Sequence, residues 1–318
     1  LKPMRVLVTG GAGFIGSHLV DRLMAEGHKV RVLDNLASGS MKNLKQWESH
    51  PSFEFTRGDL LDRETTRKAV KGCAHIYHLA ANPEVQAKKA GPEEHFKQNI
   101  EATYSLLEAI RGSTVNLLAF ASSSTVYGDA EVLPTPEDYG PLVPISLYGA
   151  SKLACEALIS AYASMYGFKA VIYRLANVVG PRSNHGVIWD FTGKLREDPH
   201  TMEVLGDGKQ SKSYLHVDDC IEGFLRGVES GRQVAIYNMG SEDRVTVLEI
   251  ADIVRKTAGC PDAKVILTGG VDGGRGWKGD VKLMQLDMSR LRSIGWTPMH
   301  NSAEAIRLTA ENVASVRQ

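Results

Sequence analysis

Short apolar runs alternate with helical stretches through the first half of the chain. Met4–Thr9 is an apolar run stopped by glycine, as a buried strand should be. From Phe14 to Glu26 the apolar positions Ile15, Leu19 and Leu23 take helical spacing, and Gly27 closes the helix. Further strands are expected at 29–33, 53–56, 75–79, 116–121 and 169–175, with helices at 62–71, 93–111 and 146–166. Strands alternating with helices imply a doubly wound parallel α/β (Rossmann) sheet covered on both faces.

The pattern changes after Gly180-Pro181, where glycine and loop residues increase. A smaller, partly interleaved α/β region is expected there. The boundaries are 1–178 and 179–318, with returns to the sheet near 214–240. Helices are expected at 246–258 and 303–313, and 269–276 reads as a glycine-rich loop.

Composition narrows the function. The chain has 318 residues, 43% hydrophobic and 23% charged, and 37 basic residues balance 37 acidic ones. This neutral balance gives no footprint for nucleic acid or a charged membrane surface. No apolar run is long enough to span a bilayer. Leu1-Lys2-Pro3 does not read as a native start, so Met4 is the expected initiator, and no signal peptide is expected. The four cysteines are scattered without a CxxC pair, which suits reduced thiols and a cytoplasmic location. His18, His28, His78, His185 and His216 lack ligand spacing, so no metal is expected.

The candidate chemistry starts in the loop after the first strand. Gly10, Gly13 and Gly16 are spaced GxxGxxG, and the helix opening at Phe14 and Ile15 would aim its N-terminal amides at a pyrophosphate. Asp34 stands at the end of the second strand. Its carboxylate would receive ribose hydroxyls and repel a 2′-phosphate, favouring NAD over NADP. Gly206-Asp-Gly-Lys209 lacks the hydroxyl residue and glycine spacing of a nucleoside-triphosphate loop. Tyr148 and Lys152 lie four residues apart on one helical face. An ammonium beside a phenol favours the phenolate, giving a base for alcohol oxidation next to a hydride acceptor.

These motifs together resemble the extended short-chain dehydrogenases/reductases, and most of all the UDP-glucose (UDP-galactose) 4-epimerases. The resemblance extends over nearly the whole chain. It rests on the glycine loop, Gly58-Asp59-Leu60, His78-Leu-Ala-Ala81, Asn99, Ser122–Gly128, Tyr148–Lys152, Arg174–Asn177, Ser213–Asp219, Tyr237–Gly240, Gly279-Asp-Val281 and Gly295-Trp296. It implies that Tyr148 takes the proton of the sugar 4-hydroxyl while the C4 hydrogen passes to NAD. The 4-keto sugar then turns over and is reduced on its other face. Ser123 would assist as the catalytic hydroxyl, and Lys152 would contact the nicotinamide ribose. Asn35, Asp59, Leu60, Leu79, Ala80, Ala81, Asn99 and Ser122 would complete the cofactor site. A UDP-sugar substrate would meet Ser123, Tyr148, Asn177, Asn184, Val204, Lys212, Tyr214, Arg275 and Met284.

The chain departs from that pattern at Lys212-Ser213-Tyr214, in place of Arg-Asp-Tyr, and at Arg275, two residues early. Met284 stands where a side chain limits room at the sugar C2 substituent, so some tolerance of N-acetylated sugars is expected. Dehydratases of the superfamily carry an Asp-Glu pair where this chain has Ser124 and Thr125. A UDP-glucuronate epimerase or decarboxylase remains an alternative reading, and a non-enzymatic NAD sensor a distant one. The apolar arcs of the 93–111 and 146–166 helices suit a homodimer built as a four-helix bundle.

Overall fold

The computed structural model describes residues 3–86 and 91–316. Leu1 and Lys2, part of the expected non-native start, lie outside the described residues. The chain divides into two compact units. The first comprises Leu1–Val126, Leu147–Arg174 and Phe224–Tyr237; the second comprises Tyr127–Ser146, Leu175–Gly223 and Asn238–Gln318.

The first unit is built on a seven-stranded parallel sheet. Its strands are β1 (Arg5–Thr9), β2 (Lys29–Asp34), β3 (Phe53–Arg57), β4 (His75–His78), β5 (Leu117–Ser123), β6 (Lys169–Leu175) and β7 (Val234–Met239), in the order β7-β6-β5-β4-β1-β2-β3. From β1 the chain moves outward to β3, then returns to place β4 on the other side of β1. The gap between β1 and β4 is the switch point where a parallel sheet opens a crevice for ligands. Val6, Leu7 and Val8 in β1 are buried, as a strand covered on both faces requires.

Helices α1 (Phe14–Ala25), α2 (Arg63–Val70), α3 (Ala102–Ile110) and α4 (Leu147–Tyr166) connect these strands. Asp62 caps α2 through the Glu64 and Thr65 amides, as the sequence suggests. Leu106, Leu107 and Ile110 of α3 join Ile159 and Ala163 of α4 in one apolar core with Leu118, Phe120 and Ile172 of the sheet.

The helix expected at 93–111 is not uniform. A short turn, Pro92–His95, leads into a π-helical segment, Phe96–Glu101, and then α3. Such wider turns are frequent at functional sites. The segment carries Asn99, buried at 2% exposure, whose Oδ1 accepts from the Asn82 amide at 2.7 Å. Its Nδ2 donates to Ser151 Oγ at 2.8 Å. Alternation of apolar residues does not report this wider turn.

The second unit contains α5 (Val187–Glu197), α7 (Val247–Thr257) and α8 (Ser302–Val316), packed over short strands that include Thr201–Val204 and Lys264–Leu267. Helix α6 (Val217–Gly227) crosses from this unit into the first. A reciprocal box between Thr246 and Glu249 starts α7.

Candidate active site

The glycine loop folds as a tight turn after β1. Gly10 has φ of +71°, and a Cβ there would lie 2.7 Å from the Ala80 nitrogen. Gly16 lets α1 approach the loop, since a Cβ would meet the Gly10 oxygen at 2.2 Å. Gly13 differs. Its missing Cβ would meet Gly10 O at 3.2 Å and no other atom within 4 Å, so this face of the loop is open. The amides of the first turn of α1 have no partner within the helix. Open space beside free amides at a helix N-terminus is the cradle a pyrophosphate requires.

Asp34 closes the other end of this crevice. Its Oδ2 accepts from the Ala12 amide at 2.9 Å and its Oδ1 from the Leu36 amide at 2.8 Å. Burial raises its pKa, and the two amide bonds oppose that rise. Each oxygen keeps lone-pair capacity for a ribose hydroxyl. Asn35 Nδ2 donates to Asp59 Oδ2 at 2.9 Å, and Asp59 Oδ1 takes the Leu61 amide, which ties the ends of β2 and β3 together. Leu60 is buried at 5% exposure. Leu79 N donates to the Thr9 carbonyl at 3.1 Å, and Ala80 N to Thr9 Oγ1 at 3.4 Å; Ala81 follows them at the lip of the loop. Under this lip His78 is fully buried between Thr9 Oγ1 at 2.7 Å and Thr103 Oγ1 at 2.9 Å. Burial first, and then the Lys152 charge, lower its pKa to about 3, so it stays a neutral ring bridging two hydroxyls.

Tyr148 and Lys152 lie in the first two turns of α4, and Ser123 ends β5. Ser123 hydrogen-bonds the Tyr148 side chain and accepts from Thr125 Oγ1 at 2.9 Å. Lys152 is 3% exposed; its Nζ donates to the Ala121 carbonyl at 2.8 Å and lies 4.8 Å from the Phe120 ring centroid. Its distance to the Tyr148 ring centroid is 5.7 Å. Helical spacing does bring the pair to one face. The ammonium, however, is drawn to a carbonyl rather than to the phenol oxygen, and burial dominates both titrations. It pushes Tyr148 up, opposed by the Ser123 bond, and pulls Lys152 down to about 8. Burial, more than the Lys152 charge, governs the Tyr148 phenol in this arrangement.

Ser122 faces a different partner. Its hydroxyl donates to Glu156 Oε1 at 2.5 Å, so its one proton is committed there and only acceptor capacity remains. Glu156 also holds Arg174 at 2.8 Å, Nη2 to Oε2, in a pair that is 4% and 5% exposed. Sequence reading passed over Glu156, although its place four residues after Lys152 repeats the spacing that links Tyr148 to Lys152.

In the second unit, Asn177 Nδ2 donates to the Ser213 carbonyl at 3.4 Å. Asn184 is exposed and pairs with His185 Nδ1 at 2.9 Å. Lys212 Nζ donates to Asp280 Oδ1 at 2.6 Å, while Arg275 forks onto Asp129 at 3.0 and 2.8 Å. Tyr214 is buried at 8% exposure, and burial raises its pKa. Val204 is fully buried in the apolar core of this unit, which leaves only its backbone for a base. Met284 is also buried, at 6% exposure, and pairs with Lys212 in the strand register. Among the described residues no cluster of three or more His, Cys, Asp or Glu is arranged to hold a metal, and no helix is long and apolar enough to cross a membrane.

Residues 6–240 match the profile of the NAD dependent epimerase/dehydratase family. The chain belongs to this family. It is thus an NAD-dependent enzyme, and the open face at Gly13 with the bonded Asp34 carboxylate fits that cofactor. Within the family the chain is 35% identical to the UDP-glucose 4-epimerase of Mycolicibacterium smegmatis, over 97% of this chain and 98% of the relative. It is 34% identical to UDP-glucuronic acid decarboxylase 6 of Arabidopsis thaliana, over 97% of this chain and 88% of the relative. A crystal structure of a UDP-galactose 4-epimerase is 43% identical and superposes with a TM-score of 0.88, covering 99% of this chain and 100% of the other.

Proposed function

We propose that this enzyme interconverts UDP-glucose and UDP-galactose. The observation that carries the reading is the contact of Ser123 with Tyr148, with Lys152 one helical turn away. NAD, when bound, supplies the acceptor and donor of the sugar C4 hydrogen. Tyr148 takes the proton of the sugar 4-hydroxyl and later returns it. Ser123 shares that proton path and holds the sugar oxygen. The Lys152 ammonium, fixed on the Ala121 carbonyl, contacts the nicotinamide ribose and adds positive charge near the phenol.

In the cofactor site, Gly10, Gly13, Phe14, Ile15 and Gly16 hold the pyrophosphate, and Asp34 with Asn35 the adenosine ribose. Asp59 and Leu60 flank the adenine. Leu79, Ala80 and Ala81 pass the phosphates, and Asn99 fixes the 82 backbone behind them. A UDP handle fits the polar groups of the second unit: Asn177, Asn184, Lys212, Tyr214 and Arg275. Firm holding at the handle with loose holding at the sugar allows the ketone to turn over. The burial of Met284 does not favour extra room for an N-acetyl group.

The decarboxylase relative supports a second reading, a UDP-glucuronate epimerase or decarboxylase. Elimination chemistry is disfavoured by hydroxyls at Ser124 and Thr125, the latter bonded to Ser123. Incubation with UDP-galactose, UDP-GalNAc and UDP-glucuronate separately, without added cofactor, tests both readings. The expected result is UDP-glucose from UDP-galactose. Turnover of UDP-glucuronate alone would overturn it. We further propose a cytoplasmic homodimer, supported by exposed Phe96 and Met165 on the helices named above; a monomeric mass in solution would refute the dimer.

A further inference from the structure

Both basic residues suited to a diphosphate are already paired with carboxylates, and the two pairs differ. Asp280 is buried at 3% exposure and is built into its own turn, since its Oδ2 also accepts from the Gly276 amide at 3.1 Å. Its bond to Lys212 is part of the local fold. Asp129 is not built in. Its side chain is 48% exposed, while both of its oxygens are taken by the Arg275 fork.

Backbone geometry holds both ends of this contact. Gly128 has φ of +63°, and a Cβ there would lie 2.0 Å from the Val143 oxygen, so the chain turns sharply just before Asp129. Arg275 ends a small hairpin in which Val271 and Arg275 exchange backbone bonds at 3.0 and 2.8 Å. Arg275 Nη1 also donates to the Asp280 carbonyl. The guanidinium is thus presented in one orientation, with its outward fork filled by a carboxylate.

A phosphate takes the same fork as a carboxylate. We propose that Asp129 is a built-in counter-anion that occupies Arg275 until a nucleoside diphosphate replaces it, and so sets the affinity and charge selectivity of the handle site. The inference rests on the UDP-sugar reading. Binding of the diphosphate is then an exchange of anions rather than a simple gain, and Arg275 contributes only the difference. A neutral ligand cannot make the exchange. Asp129 therefore weakens diphosphate binding without touching the base or the sugar.

The test is calorimetric titration of the NAD-loaded enzyme with UDP and with uridine, for wild type and Asp129→Asn. Half-exposed ion pairs have modest strength, so UDP should bind about two- to five-fold tighter to the variant. Uridine affinity should not change, and the exposed position predicts an unchanged melting temperature. Equal or weaker UDP binding by a folded Asp129→Asn would overturn the proposal, because Asp129 would then be inert or would aim Arg275 at the phosphate. Failure of wild type to bind UDP would instead overturn the UDP-sugar reading, and the inference with it.

Discussion

The Lys152 ammonium donates to the Ala121 carbonyl at 2.8 Å, two residues before Ser123. The bond ties α4 to the end of β5, the two elements that carry Tyr148 and the serine. It also commits the ammonium to a buried place where charge is costly.

The pH dependence follows from that cost. The folded protein gives up the Lys152 proton near pH 8, whereas the unfolded chain holds it to about 10.5. The burden of this charge on stability is complete below pH 8 and is relieved as pH rises toward 10.5. On the proposed mechanism activity runs the other way, because the ammonium is the form that contacts the nicotinamide ribose and adds charge near the phenol. kcat/KM should fall as pH rises through about 8, and Lys152→Met should be favoured in stability over wild type more at pH 7 than at pH 10. A flat kcat/KM profile from pH 7 to 10 would contradict this.

Tyr148→Phe removes the proposed proton carrier and little else. Turnover should drop by about 10²–10⁴-fold, with NAD affinity within a few-fold of wild type. Measuring both in one preparation separates catalysis from cofactor sensing, and retained turnover would remove Tyr148 from its role.

Glu156→Gln should be far more damaging to stability than its distance from the substrate suggests. It removes the carboxylate charge facing the buried Arg174, at a cost of about 3–5 kcal/mol. Urea unfolding should show the loss, and Glu156→Gln combined with Arg174→Met should recover part of it. A loss below about 1 kcal/mol would mean that water reaches the pair.

Two alanine substitutions in the glycine loop should part company. Gly16→Ala forces a methyl against the Gly10 carbonyl, so both stability and NAD affinity should fall. Gly13→Ala meets one atom, the Gly10 oxygen at 3.2 Å, which a shift of a few tenths of an ångström relieves, so it should lose NAD affinity with a smaller fall in melting temperature than Gly16→Ala. Identical behaviour of the two would argue against an open phosphate cradle at Gly13.

The alternation of strands and helices made the sheet legible, because central strands such as β1 are short apolar runs and the turns after α1 to α4 carry Gly27, Gly72, Gly112 and Gly167. The glycine loop and the Tyr148–Lys152 spacing were legible for the same reason: local geometry demands those residues at those intervals. What escaped was set by partners distant in sequence. Lys152 chose a carbonyl 31 residues away over the neighbouring phenol, and Arg275 meets a carboxylate 146 positions earlier. Val204 showed the opposite weakness. The resemblance placed it beside the substrate, but its apolar side chain is taken by the core, which leaves its backbone for that contact.

The seventh strand of the sheet arrives late, at Val234–Met239, after the chain has already entered the other unit. A ribosome that has released only the first 178 residues has therefore made a sheet whose β6 edge is bare. Such an edge invites pairing with another chain. Cutting the gene at the apparent domain boundary should thus yield aggregates rather than a free cofactor-binding module, and a nascent chain must wait some sixty residues more before it can seal itself.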